Sequence, residues 1–519
     1  MFKAWNQADA PGLVAGVFRD GERLWMGSFG LSNLEFDAPN TPQTRFNAGS
    51  VAKQFTATAI LRLEQAEELS LDDPIRRYVP ELPGVARSIT LRQMLHHTSG
   101  LRDVWALTDL GGWQPADVRT PTQALRILAR QRALNFLPGN GFGYSNSGYL
   151  LLAEVIRRTT GRPFPDWMRQ HVLEPAGMED TYFYEDPIKL LPGVASPYRF
   201  LGRSRGFARD DLNSGLAGSG NLVTTAADLG RWSAHLLTSK IGGAPLVERL
   251  SEQGILPDGR KTGYGMGLFV GTHRGLPVVS HGGANAGYRS ELLMFPDQRV
   301  AVVVLGNVNT VSAERLARSM ADVVLAEDLP APSPLPETTP VPMALPPASF
   351  AGRYALGQML LEIRESDGSL YFRIGGGDLR PLTATGPVTF ATSEPGVSLE
   401  FQLDENRSIT GVDLLAAGRT LPAERLEPEM LTATDARAYE GRYHSEELDT
   451  SYRVVYENGH LVARHLRGSD IVLTAFGQDR FLESAGGDLR VDFQRSRRGR
   501  ITGFEVSVDR ARAIAFDRI

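Results

Sequence analysis

Residues 50–67 read SVAKQFTATAILRLEQAE. Ala52, Phe55, Ala59 and Leu63 are spaced to share one face of a helix, so the stretch predicts a helix from Ser50 to about Glu67. Positions i and i+3 lie on one side of such a helix. The Ser50 hydroxyl and the Lys53 amine are then neighbours at its N-terminus, where the helix dipole favours developing negative charge. A serine hydroxyl needs a base to act as a nucleophile. A lysine can be that base when its surroundings lower its pKa, whereas an arginine stays protonated. The chain has only five lysines, at positions 3, 53, 189, 240 and 261, and Lys53 alone has a serine three residues before it. The plain alternative is that Ser50 only caps the helix.

Two further elements lie downstream. Tyr144-Ser145-Asn146 follows Pro138-Gly139-Asn140-Gly141 and leads into a second periodic segment with Tyr149, Leu152, Ala153 and Ile156 inward. A tyrosine beside a lysine can share or relay a proton. An asparagine amide can orient both the lysine and a substrate amide. His281-Gly282-Gly283 ends the apolar run PVVSH, where glycines let a substrate backbone approach a strand edge. Taken singly, the first of these is equally a polar turn capping a helix, and the second a strand ending in a tight turn.

The three elements together resemble the serine β-lactamase and penicillin-binding-protein superfamily, whose signature is S-x-x-K, a second S-D-N element and K-T-G. Here the second element has the Tyr-x-Asn form of the class C branch, and His281-Gly282-Gly283 stands in place of K-T-G. Leu95-His96-His97-Thr98-Ser99-Gly100-Leu101, Gly218-Ser219-Gly220-Asn221 and Tyr264-Gly265-Met266-Gly267 extend the likeness over nearly all of residues 1–328. A narrower resemblance, to bacterial D-aminopeptidases with two C-terminal barrels, rests on Gly100-Leu101-Arg102-Asp103 with Trp105-Ala106-Leu107, and on GRYHSEELD at 441–449. The resemblance implies that Ser50 attacks a carbonyl while Lys53 and Tyr144, titrating as a coupled pair, take its proton. It implies an oxyanion between the backbone N–H groups of Ser50 and Ala284, just past Gly283, with Asn146 and His281 positioning substrate and no cofactor or metal. It implies a D-aminopeptidase, with an esterase, a D-Ala carboxypeptidase or a β-lactamase as alternatives on the same site. A peptidoglycan or β-lactam sensor that acylates without turnover is an alternative of another class. In the D-aminopeptidases a loop of the last barrel enters the cleft, and the resemblance implies that its counterpart here is Glu483 to Asp488, a shorter loop.

Outward from these motifs, LVAGVFRDGERLWMGSFG predicts a hairpin around Asp20-Gly21. YGMGLFV, PVVSH, SELLMF and AVVVLG predict consecutive strands, and AERLARSMADVVLAE a closing helix. Strands at both ends with helices between imply an α+β catalytic domain, an antiparallel sheet flanked by helices, over residues 1–328. Residues 329–347 are proline-rich and read as a linker. Beyond it the chain repeats. Phe350-Ala351-Gly352-Arg353-Tyr354 returns as Tyr439-Glu440-Gly441-Arg442-Tyr443, and Ile409-Thr410-Gly411 as Ile501-Thr502-Gly503. Each copy, 348–428 and 429–519, carries about eight short alternating segments with Asp-Gly or Asn-Gly turns. That pattern suits a small antiparallel β-barrel or a sandwich, and the resemblance favours barrels.

Composition narrows the function classes. The chain has 519 residues, 42% hydrophobic and 22% charged, with a net charge of −5 and no cysteine. Disulfides and thiolate chemistry are excluded. Nothing favours nucleic acid or an anionic membrane as partner. The expected partner is a small peptide, amide or ester, with a homodimer left open. No signal-like stretch opens the chain as given, so a cytoplasmic location is expected, or a periplasmic one if a leader was removed. Three decoys are set aside. Lys261-Thr262-Gly263 is out of order relative to YGMGLFV. Gly202-Arg203-Ser204-Arg205-Gly206 lacks the strand and helix of a nucleophile elbow. His96-His97 suits a capping or structural role better than a metal.

Overall fold

The structure is a computed structural model. It describes residues 1–3, 5–211, 213–330, 341–356, 359–375, 379–392, 397–416, 419–429, 431–484 and 488–519. The middle of the proline-rich stretch and Ala485, Gly486 and Gly487 of the expected cleft loop therefore lie outside the described residues. The chain divides into two compact units, Met1–Leu107 with Trp113–Ala331, and Thr108–Gly112 with Pro332–Ile519.

The first unit is built on a six-stranded antiparallel sheet. Its strands are β1 (Leu13–Arg19), β2 (Glu22–Phe29), β3 (Phe269–His273), β4 (Leu276–Asn285), β5 (Tyr288–Phe295) and β6 (Val300–Gly306), in the order β3-β4-β5-β6-β1-β2. The first and last parts of the unit thus meet at β1 and β6. Asp20 and Gly21 both take positive φ (53° and 80°) in the β1–β2 turn, which is why this dipeptide makes a tight hairpin. β6, VAVVVLG, is buried along its whole length, as a central strand of β-branched residues should be. Its Val300, Val302 and Val304 share a core with Leu316, Ala317 and Met320 of the closing helix Ala313–Val324.

Between these strand groups run the two helices that matter for the site, α1 (Ala52–Gln65) and α2 (Asn146–Thr160). The four apolar positions expected to face inward on α1 are buried, but so are Lys53, Gln54, Thr56 and Thr58. The helix is enclosed on more than one face, and several of its buried polar atoms find partners there. Thr56 Oγ1 donates to Gly218 O at 2.8 Å, and Gln54 Oε1 accepts from Trp232 Nε1 at 2.7 Å. One strand expectation is corrected. In YGMGLFV only Phe269 and Val270 are strand, because Gly267 turns there (φ 84°) and lies against α1. A Cβ on Gly267 would stand 2.6 Å from Gln54 Cα. Among the described residues no helix is long and apolar enough to cross a membrane.

The second unit contains two closed eight-stranded barrels, running from Gly352–Leu356 to Arg419–Leu426 and from Gly441–Ser445 to Ala511–Arg518. In each, the first strand pairs with the last, Arg353 with Leu426 and Tyr443 with Arg518. Barrel closure removes the free edges an open sandwich would leave. The sequence repeat reappears as a bonding repeat. Tyr354 donates to Phe350 O and Tyr443 to Tyr439 O, each four residues back. Arg425 donates to Ser349 O and Ala351 O, and Arg518 to Ala438 O and Glu440 O. The repeated G-R-Y is therefore the corner that ties each barrel's first strand to its approach segment. Asp367-Gly368 and Asn458-Gly459 form the expected positive-φ hairpin turns.

Candidate active site

Ser50 lies in a 3-10 turn, Gly49–Val51, immediately before α1. Neither the turn nor the helix has a side-chain cap, so the hydroxyl is not spent on capping. The turn is braced on three sides. Gly49 N donates to Asn47 Oδ1 at 2.9 Å, and Ser290 Oγ donates to Ala48 O at 2.7 Å. The backbone of β4 then closes over it. A Cβ on Gly283 would sit 2.0 Å from Ala48 O, and one on Gly49 (φ 51°) would sit 2.9 Å from Ala284 N. Only glycine allows that approach at either position.

Lys53 is fully buried, and its Nζ lies 3.0 Å from Ser50 Oγ, 2.8 Å from Asn146 Oδ1 and 2.8 Å from Ser219 O. The Tyr144 ring centroid is 4.8 Å from the same nitrogen. Asn146 begins α2 without capping it; its amide oxygen goes to Lys53 instead. A lysine in its neutral form at this distance can take the serine proton, and a tyrosine over it can carry that proton onward.

His281 does not end its strand. β4 continues to Asn285, and the turn comes at Ala286 (φ 48°), so the His-Gly-Gly run is extended edge rather than a tight turn. β3 pairs with β4 only as far as Ser280, which leaves residues 281–285 beyond that neighbour. The His281 ring is buried, with Nδ1 2.7 Å from Gly282 O and Nε2 3.0 Å from the Tyr264 hydroxyl. A carbonyl only accepts, so Nδ1 carries the hydrogen and Nε2 accepts from Tyr264. Burial first, and then the nearby Lys53 charge, push its pKa down to about 3. The imidazole is thus neutral throughout the usual working range. Because the unfolded chain would take that proton from about pH 6.5 downward, this histidine makes stability fall as pH falls from there toward 3.

The site contains residues whose roles sequence reasoning missed. Asp103, 1% exposed, accepts from Asn146 N at 2.6 Å and Nδ2 at 2.9 Å. The Ser219 carbonyl belongs to Gly218-Ser219-Gly220-Asn221, a stretch noted only for its resemblance. Gly218 (φ 89°) makes its position reachable, since a Cβ there would stand 2.7 Å from Tyr149 O. His97 packs 4.2 Å from the Tyr144 ring, and its Nδ1 accepts from Ser145 N at 3.2 Å. His96 Nδ1 lies 3.2 Å from Gly265 O. The adjacent histidines thus hold the surrounding loops. Of the decoys, Lys261 is exposed, and Gly202–Gly206 is the turn of a small hairpin between Tyr198–Phe200 and Phe207–Arg209.

The family model described as Beta-lactamase matches residues 2–325. This chain belongs to the beta-lactamase family. It is also 27% identical, over 529 residues, to a D-aminopeptidase of Brucella ovis, an alignment covering 98% of this chain and 96% of that one. Among solved structures, it matches the octameric penicillin-binding protein homologue from Pyrococcus abyssi with a TM-score of 0.58 and 24% identity, covering 80% of this chain and 96% of the other. The D-amino acid amidase from Ochrobactrum anthropi SV3 matches with a TM-score of 0.52 and 22% identity, over 61% of this chain and 95% of that one. These two likenesses are of fold. The protein is a serine hydrolase of the beta-lactamase family, with two closed barrels after the catalytic unit.

Proposed function

We propose that the protein is a D-aminopeptidase that releases N-terminal D-amino acids from peptides or amides through an acyl-enzyme on Ser50. What carries the D-aminopeptidase reading is the relationship to the Brucella ovis enzyme, which spans both barrels as well as the catalytic unit. Ser50 Oγ attacks the carbonyl carbon, and its proton passes to Lys53, whose Nζ is 3.0 Å away. Tyr144 carries the proton toward the leaving amine. The oxyanion is held by the N–H groups of Ser50 and Ala284, a pairing supported by the tight approach of β4 to Gly49. Asn146 orients Lys53 and the substrate. His281, held by Tyr264 and Gly282 O, positions substrate along the β4 edge. Water then hydrolyses the acyl-enzyme.

A substrate panel tests the reading. D-alanine amide and D-alanine p-nitroanilide should exceed their L-counterparts and N-acetylated forms by at least about tenfold in kcat/KM, about 1.4 kcal/mol of differential transition-state binding. Faster turnover of simple esters or of a chromogenic cephalosporin would make the protein an esterase or β-lactamase instead. A stoichiometric burst with no steady state would make it a sensor.

His281 and Lys261 separate the third element from its decoy. His281→Ala should lower kcat/KM about tenfold or more, because the ring fills the space between Tyr264 and Tyr144. Lys261→Ala, at an exposed turn, should stay within about twofold. Steady-state kinetics on both variants check this, and the opposite pattern would reassign the third element.

A further inference from the structure

An asparagine amide has two ends of nearly equal shape and opposite hydrogen-bonding character. Which end Asn146 turns toward Lys53 decides what the amine can do. Around Asn146 the choice is made by one buried carboxylate. Asp103 Oδ2 accepts from both the backbone N and the side-chain Nδ2 of Asn146, at 2.6 and 2.9 Å. Its other oxygen accepts from Trp105 N at 2.9 Å, with Ala106 N at 3.5 Å, the pattern of an N-cap on the helix Val104–Leu110. With Nδ2 committed to a carboxylate, Oδ1 faces Lys53 Nζ at 2.8 Å.

A neutral amine has two N–H bonds and one lone pair in a tetrahedral arrangement. Two carbonyl-type acceptors, Asn146 Oδ1 and Ser219 O, each lie 2.8 Å from Nζ and can take both hydrogens. The lone pair is then left for the third contact, Ser50 Oγ at 3.0 Å. We propose that Asp103 is a positioning residue that aims the Lys53 lone pair at Ser50 by locking the Asn146 amide with its oxygen toward the amine. With the amide reversed, its NH2 would itself seek that lone pair and compete with the Ser50 O–H. In the productive arrangement the Ser50 proton moves to Nζ as the Oγ–carbon bond forms, and the resulting ammonium donates to the same two oxygens. The inference rests on the reading of Lys53 as the base.

The experiment measures the rate of fluorophosphonate acylation and steady-state kcat and KM on the full chain. Asp103→Asn replaces an acceptor-only group with one that also donates. Asp103→Ser keeps a good helix cap but is too short to hold Nδ2. Both should slow acylation and kcat about 100-fold, within the span of a displaced general base. KM should stay within about threefold, and nearly every molecule should still label on long exposure. The same substitutions made in an Asn146→Ala background should add less than about threefold, because the residue through which Asp103 acts is then absent. Equal losses in the two backgrounds, or a reduced fraction of labelled molecules with a normal rate per labelled site, would overturn the proposal and make Asp103 a folding residue. A Lys53→Arg variant that acylates at the wild-type rate would instead overturn the assignment of the base. Because acylation is read directly, the result does not depend on which amide or ester is the natural substrate.

Discussion

Ser50→Ala is expected to lower kcat by at least about 10⁴-fold and to abolish stoichiometric labelling by a fluorophosphonate. The substitution removes the atom to which the acyl group would bond. Little else should change. The hydroxyl caps neither the turn nor α1, and its hydrogen bond is to Lys53, which keeps Asn146 Oδ1 and Ser219 O as acceptors. The thermal unfolding midpoint should therefore stay close to that of the parent. Residual hydrolysis would reflect binding and the oxyanion donors alone. Labelling that persists undiminished in the alanine variant would move the nucleophile elsewhere.

Lys53→Arg should be nearly as damaging as Lys53→Ala, each costing about 10³-fold in kcat/KM. An arginine keeps the positive charge but accepts no proton at working pH. Lys53 is fully buried against three oxygens and beneath the Tyr144 ring, a space shaped for a compact ammonium rather than a planar guanidinium. If Lys53 served only to attract or stabilise negative charge, the arginine variant would retain much of the activity lost in the alanine variant. Rates per labelled active site, measured for both variants beside the parent, separate these outcomes. Wild-type-like activity in Lys53→Arg would reduce the lysine to an electrostatic role.

The contrast between these groups and those that support them follows the distance over which each acts along the chain. Ser50 and Lys53 are three residues apart, and helical geometry alone puts them side by side. The hairpin at Asp20-Gly21 and the closing helix Ala313–Val324 are local in the same sense, set by turn chemistry and apolar period. The barrel repeat is legible because the same corner is written twice, in G-R-Y. The YGMGLFV stretch misleads because the chain turns at Gly267 and lies there against α1 as a loop, which no alternation pattern reveals.

By itself the sequence determined the α+β class, the repeated second half, and the residue types able to perform acyl transfer. Tertiary structure decided the rest. It closed each repeat as a barrel by pairing the first strand with the last, where the alternation suited a sandwich equally. It brought Ser219 O to Lys53 across 166 residues, a contact no side-chain pattern encodes because every residue carries a carbonyl. It chose Asp103 to fix Asn146 across 43 residues, and turned both nitrogens of His281 to internal partners. The reason is physical. A residue's chemistry travels with its identity, but a hydrogen bond requires two atoms about 3 Å apart at a suitable angle. For segments far apart in the chain, that proximity is created only when the core packs.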